Sequence, residues 1–543
     1  MAKLKNHNNY LLQGTILAMS SIASRFIGML YRVPLTNIIG DKGMGYYSSA
    51  YELYNLALIL SSYSIPVAVS KLVSSMESKK QYRNAHNVFL TALKIAATVG
   101  AVVAGAVYLL ADAWAKLVRN MPVAIPLRVL APTIFIFAVM GVFRGYFQGK
   151  HTMLPTALSQ LVEQVVHAIV SVLAAYRLME IHNASADMEA YGAAGGTFGA
   201  FAGSVAAFLV LLGVYGMNRN YIRRKVRKDH SGSYRGTAQT ARLFGLTVLP
   251  IILSQTVYQL SGTIDNAIFG QIMFLKETNE GTTSLLWGIY ANKYRMLTNL
   301  PVAVATALGT SIVPALADTY TMGDEEGVRR KIASSVKFNM LIAIPSAVGL
   351  GVLARPIVQL LFSGTEIELS ASLLSVGAVA VVFFAYSTLT NGVLQGIDQM
   401  KLPVYHAGIS LAFHIVCLAV MLWVFDAKAY GLVIGNVLYA LGVCVLNWRA
   451  IERYTGYRQE IRNTFLMPVL CSAVMGAVAY IIYHSIYRIL QNNMVCVIVA
   501  MAVAVLCYGL LLVATRTVSE EEVRGFPKGK SLVRLLKRAR VLR

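Results

Sequence analysis

The sequence predicts an all-α polytopic membrane protein, and three observations carry that prediction. Of its 543 residues 56% are hydrophobic and only 13% are charged, against roughly 25% charged in a soluble domain. So much apolar surface finds no aqueous core able to bury it. Uncharged apolar runs such as 494–515 are sized for a bilayer core of about 30 Å. Turn residues and charges punctuate these runs along the whole chain, which gives about fourteen transmembrane helices of roughly 20 or more residues each.

The expected spans cover 11–38, 44–72, 86–111, 122–147, 153–179, 191–216, 241–275, 285–317, 331–354, 370–396, 402–425, 429–448, 464–487 and 493–515. Several exceed a straight crossing, so tilt or kinks are expected, with Pro34, Pro66, Pro301, Pro314 and Pro345 as kink points. The first ten residues are polar and the run after them is too long for a cleavable signal peptide. Cys417, Cys444, Cys471, Cys496 and Cys507 fall inside spans without metal-ligand spacing, so they read as small packing residues. Asp324-Glu325-Glu326, just ahead of Arg329 and Arg330, reads as a helix start whose negative charges complement the helix dipole.

An internal repeat organises the spans. Tyr47-x3-Tyr51 recurs as Tyr290-x3-Tyr294, and Leu110-Ala111 as Leu353-Ala354. Gln148-Gly149 followed by Leu154-Pro155 recurs as Gln395-Gly396 followed by Leu402-Pro403, and Ala190-Tyr191-Gly192 as Ala429-Tyr430-Gly431. The order is conserved between halves. Six spans per half is an even number, so the two six-helix repeats share one orientation, related by a pseudo-twofold along the membrane normal. The expected organisation is an N-terminal lobe over 1–218, a basic cytoplasmic linker over 219–240 and a C-terminal lobe over 241–450. Two extra helices follow over 451–515, then a basic cytoplasmic tail over 516–543.

The net charge of +23, from 48 Lys+Arg and 25 Asp+Glu, first sets topology. With both termini cytoplasmic, most basic residues fall on the inner side, including Arg219, Arg223, Arg224, Lys225, Arg227 and Lys228. A few charges lie where the membrane makes them costly, at about 2.5–3.5 kcal/mol each on insertion scales. Arg25 is about 21 Å into span 1, and Arg32 is two turns further on nearly the same face, with Gly28 and Pro34 allowing a bend. Arg295 and Lys293 lie in span 8, where the repeat places them opposite Glu52 of span 2. Arginine suits phosphate because its fork stays charged and binds bidentately. Glu163 and His167, at i and i+4 with Gln160 on the same face of span 5, form either a relay or a packing face. Asp265, followed by Asn266 in span 7, is an isolated intramembrane carboxylate and so a cation-site candidate. Arg144, Lys94 and Lys337 fall near cytoplasmic helix ends, where snorkelling suffices, and His414 reads as a satisfied interior histidine.

Enzyme signatures such as GxxxxGK[ST], HExxH and G-x-S-x-G with triad partners are absent. An embedded glycosyl- or acyltransferase would place acidic or histidine residues in a sizeable external loop, and these loops are short. The stretch Ser24-Arg25-Phe26-Ile27-Gly28-Met29-Leu30-Tyr31-Arg32 resembles the first-span motif of MurJ-type lipid II flippases, and 290–314 resembles their eighth helix. Arg144-Gly145-Tyr146-Phe147-Gln148-Gly149, Pro155-Thr156-Ala157 and Glu163-Gln164 resemble the stage V sporulation protein B branch of the multidrug/oligosaccharidyl-lipid/polysaccharide exporter superfamily.

The resemblance implies flipping of an undecaprenyl-pyrophosphate-linked peptidoglycan precursor, lipid II, from inner to outer leaflet by alternating access. It maps cavity arginines onto Arg25, Arg32 and Arg295, a Na+-binding aspartate onto Asp265, and the polyprenyl groove onto the last two helices. The expected protein is a functional monomer in the bacterial cell membrane, with lipid II and membrane lipids as partners and no nucleic acid. No cofactor is expected beyond Na+ or coupling to protons or membrane potential. The competing readings are a flippase for another lipid-linked polysaccharide precursor, and a multidrug/cation antiporter. The latter needs only the two six-helix repeats and favours an acidic or aromatic cavity.

Overall fold

The computed structural model describes residues 9–229, 231, 236–362, 364 and 366–518, and the regular structure among them is helical. The first helices are α1 (Asn9–Leu30), α2 (Arg32–Leu58), α3 (Ile65–Ser78), α4 (Tyr82–Leu109), α5 (Ala111–Leu117), α6 (Ala124–Gly149), α7 (Leu154–Ile181), α8 (Met188–Arg227), α9 (Thr237–Leu275) and α10 (Glu280–Gly288). They continue as α11 (Arg295–Thr321), α12 (Glu325–Val352), α13 (Ala354–Leu361), α14 (Ile367–Gly377), α15 (Ala380–Gly396), α16 (Leu402–Trp423), α17 (Lys428–Thr455), α18 (Met467–Leu490) and α19 (Asn493–Ala514). Wider π-helical turns occupy Ile59–Tyr63, Ile289–Tyr294 and Arg462–Leu466. The basic tail lies outside the described residues from 519 onward.

Eleven helical runs among the described residues are long and apolar enough to cross a membrane, or twelve when α14 and α15, bent by 48°, form one span. One run, Met19–Ser78, is 60 residues long and divides at Gly40, whose φ of 69° and ψ of 175° lie outside the helical region and need no Cβ in the way. The break falls between the first two expected spans. With α9 lying along 241–275, each expected span has its helix, and the chain is a multi-pass membrane protein.

Proline chemistry places the bends. Pro34 offers no N–H to the Leu30 carbonyl, and α1 ends at Leu30 with Tyr31 between it and α2. Pro66 stands four residues after Ser62, inside the π turn. Pro301 and Pro314 sit within α11 and Pro345 within α12, while Pro132 in α6 is an interior proline that the pattern of spans does not single out. At the start of α12 the Asp324 carboxylate accepts the Gly327 N–H at 2.8 Å, as the acidic run suggests. All five cysteines are free.

The repeat is visible element by element. Tyr82 and Glu325 open α4 and α12, Leu109 and Val352 close them, and Ala111 and Ala354 open the short α5 and α13, each pair 243 positions apart. Packing divides the chain at a different place, into Met1–Ile289 and Tyr290–Arg543. In the first unit α9 lies against α2, α3 and α4, and α10 against α2. The first part of the linker expected over 219–240 is a helical extension of α8, which runs to Arg227. Within it Lys225 donates to Glu77 of α3 at 2.8 Å.

The most extensive seam of the first unit joins α7 to α8. A Cβ on Gly195 would lie 2.5 Å from the Ala174 carbonyl carbon, and one on Gly203 2.5 Å from the Glu163 carbonyl oxygen. Only glycine permits that backbone approach, which is the way membrane helices pack without a hydrophobic drive between them. In the second unit α18 and α19 share an apolar cluster that includes Met475, Ala479, Cys496 and Ala500. An apolar groove of about 700 Å³ opens on another flank of α18, along α12 and α15, lined by Ile344, Val348, Val382, Phe465 and Val469 among others.

Candidate functional site

The first unit encloses a cavity of about 460 Å³ lined from α1, α2, α6 and α7. Local packing sets its walls. On α1, Ser20 donates to the Ala157 carbonyl at 2.8 Å and Ser21 to Gln160 Oε1 at 3.3 Å, which fixes α1 against α7. Gly28 faces Gln164, whose Oε1 would lie 3.2 Å from an added Cβ. The α1 face then presents Ser24, Arg25 and Gly28, with Arg32 at the start of α2. Arg25 is exposed to this space and Arg32 is half-buried. Neither forms an ion pair among the described residues. The side of α2 supplies Tyr51, Tyr54 and Asn55, the π turn supplies Tyr63, and α6 supplies Phe137.

From α7 come Gln160, Glu163, Gln164 and His167. The i, i+4 pair read from the sequence therefore shares one cavity with both arginines of the first span. His167 lies beneath an aromatic group: its ring centroid is 4.8 Å from that of Tyr31, and its Nε2 is 3.5 Å from the Tyr51 hydroxyl. Tyr31 and Tyr47 join hydroxyl to hydroxyl at 2.8 Å, and the Tyr47 and Tyr51 rings pack at 4.5 Å.

Arg144 corrects the sequence reading. Its place near the end of α6 expected to be cytoplasmic suggests snorkelling, yet the side chain turns inward to line the same cavity. Its Nη2 donates to Glu163 Oε2 at 2.7 Å and its Nε to Ser159 Oγ at 3.0 Å. Counting depth along one helix could not reveal this, because the partner stands on another. The available signal was an arginine on one span and an unexplained glutamate on the next. Three arginines and one glutamate leave the lining two positive charges in excess.

The remaining candidates lie elsewhere. Glu52 is buried against α9: the Thr263 hydroxyl donates to its carbonyl at 3.4 Å, and Gly262 faces its carboxylate. Asp265 is buried on α9 next to Asn266, whose amide donates to Ser49 Oγ. Among the described residues no three His, Cys, Asp or Glu side chains gather as a metal site.

Lys293 and Arg295 belong to the second unit. Lys293 is buried in the π turn with its Nζ 5.5 Å from the Phe362 ring centroid, and the Arg295 guanidinium is 5.9 Å from that of Tyr290. The repeated Tyr290 and Tyr294 stack at 5.6 Å, whereas their counterparts Tyr47 and Tyr51 meet tilted at 4.5 Å. His414 is satisfied, its Nδ1 2.8 Å from the Gly435 carbonyl. The repeat aligns Arg144 with Asn391, which joins a network without an ion pair among the described residues. There Asn447 Nδ2 donates to Asn391 Oδ1 at 2.8 Å and to Thr390 Oγ1 at 2.9 Å, while its Oδ1 lies 2.7 Å from His406 Nδ1.

With this geometry in place, comparison with known proteins is informative. The profile of the family described as polysaccharide biosynthesis protein matches residues 11–320, more than half of the chain. The chain belongs to that family. A second profile, described as MatE, matches residues 250–420. Relatives from Bacillus subtilis (strain 168) include the lipid II flippase MurJ, 25% identical over 87% of this chain and 88% of that protein. Stage V sporulation protein B from the same strain is 24% identical over 95% and 97%.

Among solved structures, the inward closed conformation of lipid II flippase MurJ matches with a TM-score of 0.67 at 14% identity, covering 92% of this chain and 98% of that one. An inward-facing multidrug resistance MATE family transporter of the MOP superfamily matches with a TM-score of 0.63 at 16% identity, covering 79% and 95%. The family's fold is thus the one found here, and the resemblance read from the short motifs is borne out.

Proposed function

We propose that the chain is a flippase for a lipid-linked precursor, moving undecaprenyl-pyrophosphate-linked peptidoglycan precursor (lipid II) from the inner to the outer leaflet of the bacterial cell membrane. The observation that carries the reading is the cavity lined by Arg25, Arg32 and Arg144, set in membrane-spanning helices. Cations so placed are costly unless they meet water, a partner or a substrate. A diphosphate is well matched to them, because guanidinium forks make paired, charge-assisted bonds to phosphate oxygens.

In this mechanism the headgroup enters from the cytoplasmic side, its diphosphate engages the arginines, and the polyprenyl tail stays in the apolar phase along the flank of α18. Arg295 is the proposed substrate contact of the second unit. Energy comes from Na+ at Asp265, from protons or from the membrane potential, where one charge crossing 100 mV is worth about 2.3 kcal/mol. The protein acts as a monomer with both termini cytoplasmic.

The test is genetic. A bacterium depleted of its own lipid II flippase is complemented with the wild-type chain or with Arg25→Ala, with membrane expression checked for both. Growth with the wild type and failure of Arg25→Ala is the expected outcome. A wild type that is expressed but does not rescue would refute lipid II as the substrate, and full rescue by Arg25→Ala would refute the cavity mechanism.

A further inference from the structure

The cavity holds three arginines in two different conditions. Arg25 and Arg32 face it without an ion pair among the described residues, whereas Arg144 is held by Glu163. That pair opens onto the cavity, and each of its side chains is only 11% exposed. It is also a single-point pair, one guanidinium nitrogen to one carboxylate oxygen at 2.7 Å, although an Arg–carboxylate pair can be bidentate. The other anchor is neutral and independent of Glu163. Arg144 Nε donates to Ser159 Oγ, and Ser159 in turn donates to the Thr156 carbonyl at 2.8 Å. Removing the carboxylate therefore leaves the guanidinium still aimed into the cavity.

We propose that Arg144 is a headgroup-binding residue, and that a phosphate-bearing anion takes its guanidinium by displacing the Glu163 carboxylate. This rests on reading the cavity as a phosphate-headgroup site. A phosphate oxygen replaces a carboxylate oxygen on the same nitrogen, so the guanidinium keeps a negative partner throughout. An unpaired arginine that is nine-tenths buried would be far more costly than either bound state. The released carboxylate has a neighbour: Gln164 Nε2 is 3.5 Å from Glu163 Oε1. A substrate must then bind more strongly than Glu163, which screens out weakly held anions. Arg25 and Arg32 impose no such competition.

The experiment uses the purified full chain in nanodiscs of neutral lipid, titrated separately with inorganic pyrophosphate and with undecaprenyl diphosphate. Glu163→Gln, which removes the competing charge, is expected to tighten binding of undecaprenyl diphosphate about tenfold, and Arg144→Gln to weaken it about tenfold. The double variant should match Arg144→Gln alone. Binding by Glu163→Gln that is unchanged or weaker, with a normal size-exclusion profile, overturns the proposal. Should Glu163→Gln be unstable, Glu163→Asp takes its place and is expected to tighten binding severalfold; unchanged or weaker binding overturns the proposal equally. A wild type that binds the lipid without the Glu163 effect sinks the exchange and leaves the flippase reading standing. The same pattern with inorganic pyrophosphate, but no preference for the lipid, supports the exchange and sinks the lipid-linked reading.

Discussion

A single arginine in a span has three fates: it snorkels to the interface, it pairs, or it waits for an anion. Depth alone separates the first from the others only when no neighbouring helix intervenes. Arg25 and Arg32 could be picked out because they recur at i, i+7 on one helix, which places them on one face whatever surrounds it. Arg144 was hidden because the direction of its side chain is set by α7. If diphosphate is read through fork geometry, Arg25→Lys will retain part of the rescue while Arg25→Gln retains almost none. Equal function of lysine and arginine at this position would mean that only a point charge is needed. Growth rate of the complemented strain measures it.

The seam of α7 and α8 holds Glu163 and His167 at their depth, because Gly203 lets the α8 backbone rest against the Glu163 carbonyl and Gly195 does the same one segment further along. Overpacking such a contact costs about 1–3 kcal/mol. Gly195→Leu is therefore expected to lower the melting temperature of the detergent-solubilised protein by several degrees and to weaken diphosphate binding. An unchanged melting curve would show that the seam is not tight in the working protein.

At the start of α12, Asp324→Ala removes a cap worth about 1 kcal/mol. It should lower the same melting temperature slightly while leaving rescue intact. The acidic run ahead of α12 was legible as a helix start because capping is local. The α7–α8 seam was not, since it depends on which glycines of two helices meet.

For the whole molecule, hydropathy and charge patterning were enough to count spans, because the bilayer leaves a helix few alternatives. The same patterning predicts that both termini face the cytoplasm. Green fluorescent protein fused after residue 518 should fluoresce, and alkaline phosphatase fused there should be inactive; the reverse pair of results would invert the topology. The repeat was legible too, and the boundaries of α4 and α5 recur in α12 and α13 at one offset. The packing division after Ile289 was not. A repeat records which elements correspond, whereas the contacts of α9 with α3 and α4 depend on how helices already formed are placed.

The alignment of Arg144 with Asn391 has an evolutionary consequence. Two halves built on one plan have kept their scaffold and parted in chemistry. The first has an ionic pair at this position, and the second an amide network centred on Asn447. Here the divergence leaves a buried ion pair in one half and a hydrogen-bonded amide cluster in the other. Selection should therefore act unequally on corresponding residues. Polar exchanges that preserve hydrogen bonding around Asn391 ought to be tolerated, while a charge change at Arg144 or Glu163 is expected to change anion binding.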